Sequence, residues 1–369
     1  MMSDRLAWAQ WRLYEGFNYR LRTLAGGRFA SRCRPVSTIV LLTENCNARC
    51  LHCDIWKNKF KENLTLEDWK TVFTDLRKWL GPVHVCISGG EALMKPFAVD
   101  LVRHASGLGL FLEILTHGYW EDQGKIQRLA LADPWKITIS MDGLGDTHTK
   151  VRGQPNFWER TSRSFETFKS MRLQHGLRYT IRLKNVIMSH NLADTVKLAE
   201  FAQQDGVEVF FQPIEQNYNT PDDTEWWLHS GNWPADTARA VSNVRRLIAM
   251  KLSGKSHIAN SMEQLEAMIP YFEDPAASRV SMQTHSAHEK QRSCNALTTL
   301  QLQANGDVTV CTGVAPVGNI REKSIREIWE NRQRFWERGC CLEHRMTETE
   351  LHHIELAPSL TASDSWDRP

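Results

Sequence analysis

Three cysteines carry the clearest chemical signal in the sequence. Cys46, Cys50 and Cys53 lie within eight residues, in the spacing C-x3-C-x2-C. Three thiolates at this spacing can ligate three irons of a 4Fe-4S cluster, which leaves the fourth iron without a protein ligand. An open coordination position is what a metal site needs in order to bind a substrate or a cofactor. The segment therefore predicts a catalytic iron–sulfur cluster held by these three side chains.

A structural zinc site and chance clustering are the alternatives for this segment. Structural zinc prefers paired C-x2-C units that are closed by a fourth ligand. Three of nine cysteines in eight positions of a 369-residue chain are also seldom an accident. An odd number of cysteines, with three packed together, favours a reducing compartment over a disulfide framework. We therefore expect a cytoplasmic protein.

Four further cysteines lie near the C-terminus, namely Cys294, Cys311 and the adjacent pair Cys340 and Cys341. A second iron–sulfur cluster needs three or four ligands, and these four residues are the candidates, with His344 a weaker one. Two adjacent cysteines do not easily reach one corner of a cluster, so one of the pair is available to a substrate or a soft ion. A purely structural pair is the alternative.

Alternating apolar runs and helical patterns predict the main domain. Strands are expected at Ser37–Thr43, Val83–Ser88, Leu110–Thr116, Trp135–Ser140, Tyr179–Met188 and Val207–Gln212. Helices are expected at Thr65–Leu80, Lys95–Leu108, Glu121–Ala132, Phe157–His175 and Leu192–Asp205. This alternation predicts a parallel sheet with right-handed crossovers, as an open sheet or as a partial barrel. The cysteine segment follows the first strand, at the edge where barrel enzymes keep their chemistry.

The rest of the chain divides around this α/β domain. The first segment carries seven arginines and an aromatic stripe typical of an amphipathic helix, formed by Trp8, Trp11, Tyr14, Leu21 and Leu24. We expect it to pack on the main domain rather than on a membrane. The predicted units are an N-terminal helical arm (1–35), the α/β domain (36–215), a helical connector (216–290), a cysteine module (291–346) and a tail (347–369).

Composition excludes several classes of protein. With 41% hydrophobic and 24% charged residues, the chain has the composition of a soluble globular protein. A formal net charge of +2 gives no field of the kind that nucleic-acid binding requires. No apolar stretch approaches the roughly 20 residues of a membrane span. We therefore expect neither a nucleic-acid partner nor a membrane span.

The cysteine segment and three later motifs resemble the radical S-adenosylmethionine (SAM) superfamily. Ser88-Gly89-Gly90-Glu91, after the second strand, resembles the Gly-Gly-Glu element of that family. Thr116-His117-Gly118 resembles its Thr-Asn-Gly, with histidine in place of asparagine. Ser140-Met141-Asp142-Gly143, followed by Arg152, resembles its Ser-Leu-Asp-Gly pattern. The motifs occur in the family's order along the main domain.

This resemblance implies a fold, two cofactors and a set of contacts. The fold is α/β, a partial (β/α)6 TIM-like barrel with an N-terminal helical extension and a small C-terminal α+β module. The cofactors are a 4Fe-4S cluster on the three cysteines, which makes these the catalytic residues, and SAM. The implied SAM contacts are His52, Gly89, Gly90, Glu91, Thr116, Ser140, Asp142 and Arg152. His52 stands where the family often has an aromatic residue near the adenine, and a proton-transfer role and a plain loop role both stay open for it.

The C-terminal cysteines resemble the auxiliary-cluster modules called SPASM and Twitch. Cys294 and Cys311 flank Gly306 in the spacing C-x11-G-x4-C, which is similar to the entry of those modules. Their dense central run of cysteines is absent, so at most one auxiliary 4Fe-4S cluster is expected, with Cys294, Cys311, Cys340 and Cys341 as its candidate ligands.

Three functions compete at this point. The first is reductive cleavage of SAM to modify a peptide or small-molecule natural product, with flavodoxin or ferredoxin as the one-electron donor. The second follows from the adjacent Cys340 and Cys341, which resemble a motif of the arsenic-processing branch. There, thiolates would hold trivalent arsenic from arsenite, and SAM would supply its 3-amino-3-carboxypropyl group. The third is a non-catalytic iron–sulfur module that binds a partner protein.

Overall fold

Six parallel strands and their crossover helices form the main body of the protein. The computed structural model describes residues 2–23, 32–58, 64–216, 225–276, 297–310 and 315–332. The strands are β1 (Ser37–Thr43), β2 (His84–Gly89), β3 (Phe111–Thr116), β4 (Lys136–Ser140), β5 (Thr180–Ile187) and β6 (Glu208–Pro213). Each pairs in parallel with the next, and the sheet does not close on itself. This confirms the predicted α/β partial barrel.

Helices follow these strands and cover one face of the sheet. They are α2 (Leu66–Leu80), α3 (Ala98–Gly107), α4 (Gln123–Leu131), α5 (Asp146–Arg152), α6 (Phe157–His175) and α7 (Thr195–Gln204), whereas α1 (Met2–Thr23) precedes β1. The predicted start of α2 is confirmed, because Thr65 and Asp68 form a reciprocal capping box. Helix α5 was not predicted, since seven residues give too little helical periodicity to be recognised.

Alternate strand residues face the helices and the interior of the half-barrel. On β1 and β2 the buried positions are every second residue, including Val40, Leu42, Val85 and Ile87, and these form the core beneath the helices. The remaining positions line the interior of the half-barrel. The interior therefore carries the polar residues that the sequence intersperses among the apolar ones.

An ionic network occupies the interior at the amino ends of the strands. His84 Nε2 lies 3.0 Å from Glu113 Oε2, and Arg182 Nη1 lies 3.9 Å from Glu113 Oε1. Glu208 accepts from both Arg182 (2.7 Å) and Lys136 (2.8 Å). Since every one of these charges has an opposite partner, the network closes this end of the half-barrel without an isolated buried charge.

The N-terminal helix α1 covers the same end. The Trp11 ring lies 5.0 Å from the Phe111 ring and 6.1 Å from the Trp135 ring, and Trp11 Nε1 donates to the Val36 carbonyl. The predicted packing of this helix on the main domain is thus confirmed for Trp11. It is wrong for Trp8, which is 52% exposed. Three residues turn a helix by less than one full turn, so the two tryptophans diverge around its axis.

The C-terminal strands extend the same sheet. Strand β7 (Thr299–Leu302) pairs in parallel with β1, and β8 (Asp307–Thr309) and β9 (Gly318–Asn319) continue antiparallel. A turn at Asn305-Gly306 joins β7 to β8, and Gly306 has φ +94° as such turns require. The sheet order is β6-β5-β4-β3-β2-β1-β7-β8-β9.

Among the described residues, five further α-helices pack around this sheet. They are α8 (Trp226–His229), α9 (Thr237–Leu252), α10 (Met262–Glu266), α11 (Met268–Glu273) and α12 (Ile325–Glu330). Helix α12 is tied to the N-terminal segment, because Trp329 Nε1 donates to the Cys33 carbonyl at 2.9 Å. Within the described residues, no helix combines the length and the apolar character needed to cross a bilayer.

Candidate active site

The cysteine loop leaves the carboxyl end of β1 and is clamped on one side by the end of β2. Gly90 N donates to the Thr43 carbonyl at 2.8 Å, and Glu91 N donates to the Asn45 carbonyl at 2.9 Å. A Cβ on Gly89 would lie 2.1 Å from the Thr43 carbonyl oxygen, and Gly89 has φ +123°. The contact that requires glycine here is therefore with the backbone at the end of β1, where the cysteine loop begins.

The end of α5 clamps the other side of the loop. Arg49 N donates to the Arg152 carbonyl at 3.0 Å, and Leu51 N donates to the Val151 carbonyl at 2.9 Å. Gly153 follows with φ +69°, and a Cβ there would lie 2.1 Å from the Arg49 carbonyl oxygen. Backbone contacts with two segments that are distant in sequence thus help to position the three cysteines.

A cavity opens between the loop and the strand ends. The predicted site residues that line it are Cys46, Cys50, Cys53, His52, Gly89, Gly90, Glu91, Thr116, Ser140 and Arg152. Sequence reasoning missed Ile55 and Trp56 as lining residues; Trp56 Nε1 donates to the Cys53 carbonyl at 3.0 Å. An aromatic residue three positions after the last cysteine was the available signal.

The donor set fits a polynuclear cluster better than a single ion. In the part of the chain that the structure describes, no three Cys, His, Asp or Glu side chains converge on one metal-ion position. The three thiols border one cavity and so can serve as the three protein ligands of a cluster.

Burial keeps the three thiols protonated unless positive charge is supplied. It raises the pKa of Cys46 to about 12 and raises the pKa of Cys50 and Cys53 above the ordinary value. Arg152 supplies part of that charge, since its Nη1 donates to Cys50 Sγ at 3.6 Å. A metal ion deprotonates a coordinating thiol outright, so bound iron compensates the remaining cost. The site thus matches the electrostatic needs of an iron–sulfur cluster.

Asp142 holds Arg152 in place. The two side chains form a buried ion pair at 2.7 Å, and Asp142 Oδ1 accepts from Val186 N at 2.9 Å. Although burial alone raises the pKa of Asp142, the charge of Arg152 brings that pKa below its ordinary value. Asp142 is not among the lining residues of the cavity. Its geometry is that of a positioning residue, and its direct contact with SAM stays a prediction.

Glu91 ties the end of β2 to the end of β3. Its carboxylate accepts hydrogen bonds from Thr116 Oγ1 (2.9 Å), from His117 N (2.9 Å) and from Leu93 N (3.2 Å). Burial raises the pKa of Glu91 to about 7 despite these donors. The carboxylate therefore organises the floor of the cavity, and Glu91 lines that cavity as well.

Two unpartnered polar atoms mark places for a ligand. His52 Nδ1 and Arg152 Nε are buried and have no hydrogen-bond partner among the described residues. Both side chains line the cavity, and burial lowers the pKa of His52 to about 4, so this imidazole is neutral. A polar cofactor such as SAM offers partners for both atoms, and the residues present therefore fit it.

Two groups of cysteines lie outside this site. Cys33 is buried, whereas Cys86 is partly buried on the interior face of β2. The candidate auxiliary ligands Cys294, Cys311, Cys340 and Cys341 lie outside the described residues. Their assignment as cluster ligands stays a prediction.

Comparison with known families agrees with this geometry. The sequence profile of the Radical SAM superfamily matches residues 40–202, and that of SPASM, an iron–sulfur cluster-binding domain, matches residues 294–351. The first range includes the cysteine loop and all the predicted SAM contacts. The second includes the four C-terminal cysteines.

Individual relatives differ in how much of the chain they match. The AdoMet-dependent heme synthase of Methanosarcina barkeri is 27% identical over 80% of this chain and 82% of its own length. The PqqA peptide cyclase of Bradyrhizobium diazoefficiens is 24% identical over 47% of this chain, and the match spans less than half (46%) of that protein.

A solved structure shares the fold. SuiB of Streptococcus suis, bound to S-adenosylmethionine, superimposes with a TM-score of 0.61 at 15% identity and covers 81% of this chain and 66% of that one. The cysteine cavity and the family profiles agree: the chain carries a Radical SAM domain at residues 40–202 and a SPASM domain at residues 294–351.

Proposed function

We propose that this protein reductively cleaves SAM at a cluster on Cys46, Cys50 and Cys53 and thereby modifies a peptide or small-molecule natural product. The single observation that carries this proposal is the cavity in which the three thiols face Arg152 and the Gly89-Gly90-Glu91 backbone. When bound, the cluster supplies one electron for cleavage of a carbon–sulfur bond in SAM. The protein's own contribution is to hold, orient and shield the reacting groups.

Each side of the cavity offers a different kind of contact. Arg152 presents a buried cation whose Nε has no partner among the described residues, which suits the carboxylate of SAM. Ser140 and Thr116 offer hydroxyl groups at the ends of neighbouring strands β4 and β3. The neutral His52 ring suits stacking on, or hydrogen bonding to, a nucleobase. We propose these residues, with Gly89, Gly90 and Glu91, as the SAM contacts.

Anaerobic reconstitution tests this assignment. The wild type and a Cys46→Ala/Cys50→Ala/Cys53→Ala variant are loaded with iron and sulfide, reduced with dithionite and incubated with SAM. We expect 5′-deoxyadenosine from the wild type and none from the variant. Cys86→Ala is the matched control, because this thiol lies on the interior face of β2 outside the loop, and it should retain product formation. A wild type that binds iron but leaves SAM intact would refute the proposal.

The same triple variant reports on the C-terminal cysteines. The SPASM domain binds auxiliary iron–sulfur clusters, and we propose Cys294, Cys311, Cys340 and Cys341 as candidate ligands for one such cluster. Iron and sulfide retained by the triple variant, with a paramagnetic signal after reduction, would support this. Loss of all iron would free Cys340 and Cys341 for another ligand.

An iron porphyrin is a second candidate substrate. The relative named a heme synthase aligns with 80% of this chain, whereas the match to the peptide cyclase covers 47%. The two classes are separated by titrating the reconstituted protein with an iron porphyrin and following its visible absorption. Saturable binding of the porphyrin, together with its consumption in a SAM-dependent reaction, would identify the porphyrin as the substrate. Modification of a peptide by a protein that does not bind the porphyrin would identify the peptide as the substrate.

Arsenite stays a third proposal, and it depends on the adjacent Cys340 and Cys341. Thiolates are suitable ligands for trivalent arsenic. Arsenite binding that disappears in Cys340→Ser and Cys341→Ser would support it. Equal binding by wild type and both variants would remove it.

A further inference from the structure

A cationic groove lies on the outer surface between α3 and α4. Four basic side chains line it, and one acidic side chain accompanies them: Lys95, Arg103, Lys125, Arg128 and Asp100. Arg103 and Asp100 form an exposed ion pair at 2.8 Å, and Arg128 lies 3.8 Å from Asp122, so two of the four positive charges are balanced at the surface. The groove therefore presents an excess of positive charge that the proposed function has not used.

This groove adjoins the floor of the active-site cavity. Leu93 lies two residues after Glu91, and its carbonyl accepts a hydrogen bond from Lys125 Nζ at 3.0 Å. Leu93 and Lys125 both line the groove, whereas Glu91 lines the cavity. Only the short Glu91–Leu93 segment separates the two sites on this side of the protein.

A continuous set of contacts joins the groove to a cluster ligand. Lys125 Nζ lies 4.2 Å from the centre of the Trp120 ring, and that ring stacks on His117 with a centroid distance of 6.1 Å. His117 Nε2 lies 2.8 Å from Asn47 Oδ1, and Asn47 is covalently joined to Cys46. Electron transfer falls off more slowly through bonds and packed atoms than across gaps. The contacts thus give a packed route from the surface to the cluster site.

We propose that the groove docks an acidic electron-carrier protein and that the route through Trp120, His117 and Asn47 couples this carrier to the cluster. The inference rests on the proposed function, because it assigns the entry point of the electron that SAM cleavage requires. One electron leaves the carrier, which is oxidised by one equivalent, and enters the cluster, which is reduced by one equivalent. No bond is made or broken in this step.

Electrostatics dictates how such docking behaves. Opposite charges steer the encounter of two proteins and raise the association rate, and salt screens this effect. Charges at the edge of an interface act mainly on association and on its salt dependence. Reduction by an acidic protein is therefore salt-sensitive, whereas reduction by dithionite does not depend on the groove.

Charge reversal in the groove tests the docking site. The probe is reduced flavodoxin, and the variant is Arg103→Glu/Arg128→Glu. The matched control is Arg245→Glu/Arg326→Glu, since these arginines are similarly exposed and also form ion pairs with surface carboxylates. Flavodoxin binding is measured by titration on the reconstituted protein at two salt concentrations. The rate of flavodoxin oxidation is measured separately.

We expect the groove variant to bind flavodoxin about tenfold more weakly at low salt and to lose the salt dependence, while the control variant behaves as the wild type. Dithionite-driven cleavage of SAM should be unchanged in both variants. Equal flavodoxin binding by groove variant and control, or no binding by the wild type, would overturn the docking site. If the wild type does not cleave SAM when dithionite is the reductant, the proposed function itself is refuted.

Replacement of Trp120 tests the route separately from docking. Trp120→Leu removes the ring between Lys125 and His117 but leaves the charges of the groove in place. The flavodoxin concentration at half-maximal rate should stay unchanged, and the maximal rate of flavodoxin oxidation should fall several-fold. An unchanged maximal rate would exclude this route, and iron content and dithionite reduction of the variant show whether the cluster site is intact.

Discussion

His117 Nε2 lies 2.8 Å from Asn47 Oδ1 and 3.2 Å from Glu91 Oε2, so one imidazole joins the cysteine loop to the ends of β2 and β3. Tyr119 N donates to His117 Nδ1 at 2.9 Å. Nδ1 is therefore the acceptor and Nε2 carries the proton. Burial lowers the pKa of His117 well below its ordinary value, and the ring is a neutral donor near pH 7.

This relationship predicts a role for the histidine in retaining the cluster. His117→Leu leaves Asn47 and Glu91 without this donor and should lower the free energy of unfolding by about 1–3 kcal/mol. Iron loss to a chelator should become faster, because the cysteine loop loses a contact. His117→Gln is the control, since its amide supplies a donor at a similar reach. If the leucine variant retains iron as well as the wild type does, the histidine does not position the loop.

Gly153→Ala should disrupt the cysteine loop. The added Cβ would lie 2.1 Å from the Arg49 carbonyl oxygen, at a residue with φ +69°. Gly176→Ala is a matched control, because Gly176 has φ +59° but no atom within 4 Å of the added carbon. The control isolates backbone strain, about 1 kcal/mol. Gly153→Ala should cost at least about 2 kcal/mol more and should lower the iron bound per chain, as measured by urea unfolding and iron content.

If Gly153→Ala and Gly176→Ala have equal effects, backbone strain alone accounts for the effect at Gly153. Contact with the Arg49 carbonyl would then not be what requires glycine at the end of α5.

Glu113 should make stability depend on acid pH. Burial alone raises the pKa of Glu113. The hydrogen bond and charge of His84, together with the hydrogen bond from the Thr138 hydroxyl, outweigh burial and lower this pKa from 4.5 to about 2. The stability that Glu113 contributes is fully present above the pKa that this residue has in the unfolded chain. It is lost as the pH falls through the lower pKa of the folded protein. Because one pKa unit corresponds to about 1.36 kcal/mol, Glu113→Gln should cost about 3 kcal/mol at pH 7.

Urea unfolding of wild type and Glu113→Gln at pH 7 and pH 3 measures this effect. The difference between them should shrink to less than half at pH 3, because the folded carboxylate then no longer gains its full advantage. Glu67→Gln, which breaks the exposed contact with Lys70, should change the free energy of unfolding by less than about 1 kcal/mol. A pH-independent difference for Glu113→Gln would contradict the assignment.

Trp11 should anchor the N-terminal helix. Trp11→Ala removes the ring contacts with Phe111 and Trp135 and should lower the free energy of unfolding by about 2–3 kcal/mol. Trp8→Ala on the same helix should change it by less than about 0.5 kcal/mol, because Trp8 is 52% exposed. Similar losses for both tryptophans would mean that helix propensity, and not the aromatic contacts, explains the effect.

Local sequence patterns predicted the helices and strands because the bounds of these elements depend mainly on neighbouring residues. Helix α6 (Phe157–His175) has its predicted bounds, since Gly176 in a left-handed conformation ends it. Strand β1 (Ser37–Thr43) also matches, because its alternating burial follows from strand geometry. Motif spacing predicted ten of the residues that line the cavity, but it missed Ile55 and Trp56 and it included Asp142, which does not line the cavity.

Long-range contacts were not predictable from the same patterns. The bond between Asn47 and His117 joins residues 70 positions apart, and the contact of Arg152 with Cys50 spans 102 positions. Such pairs depend on how strand ends meet in three dimensions, which no local periodicity encodes. For the same reason, the motif glycines were assigned to cofactor binding, although Gly89 is required by the Thr43 backbone.

The position of β7 has a consequence for the solubility of the barrel. Residues 299–302 occupy the edge of β1 that β2 leaves open. Without them, the strand that leads into the cysteine loop would expose a row of unpaired N–H and C=O groups, which is a template for aggregation between copies. Strand β7 therefore covers the edge of β1. A chain truncated before residue 297 would expose that edge of the catalytic domain and should aggregate more readily.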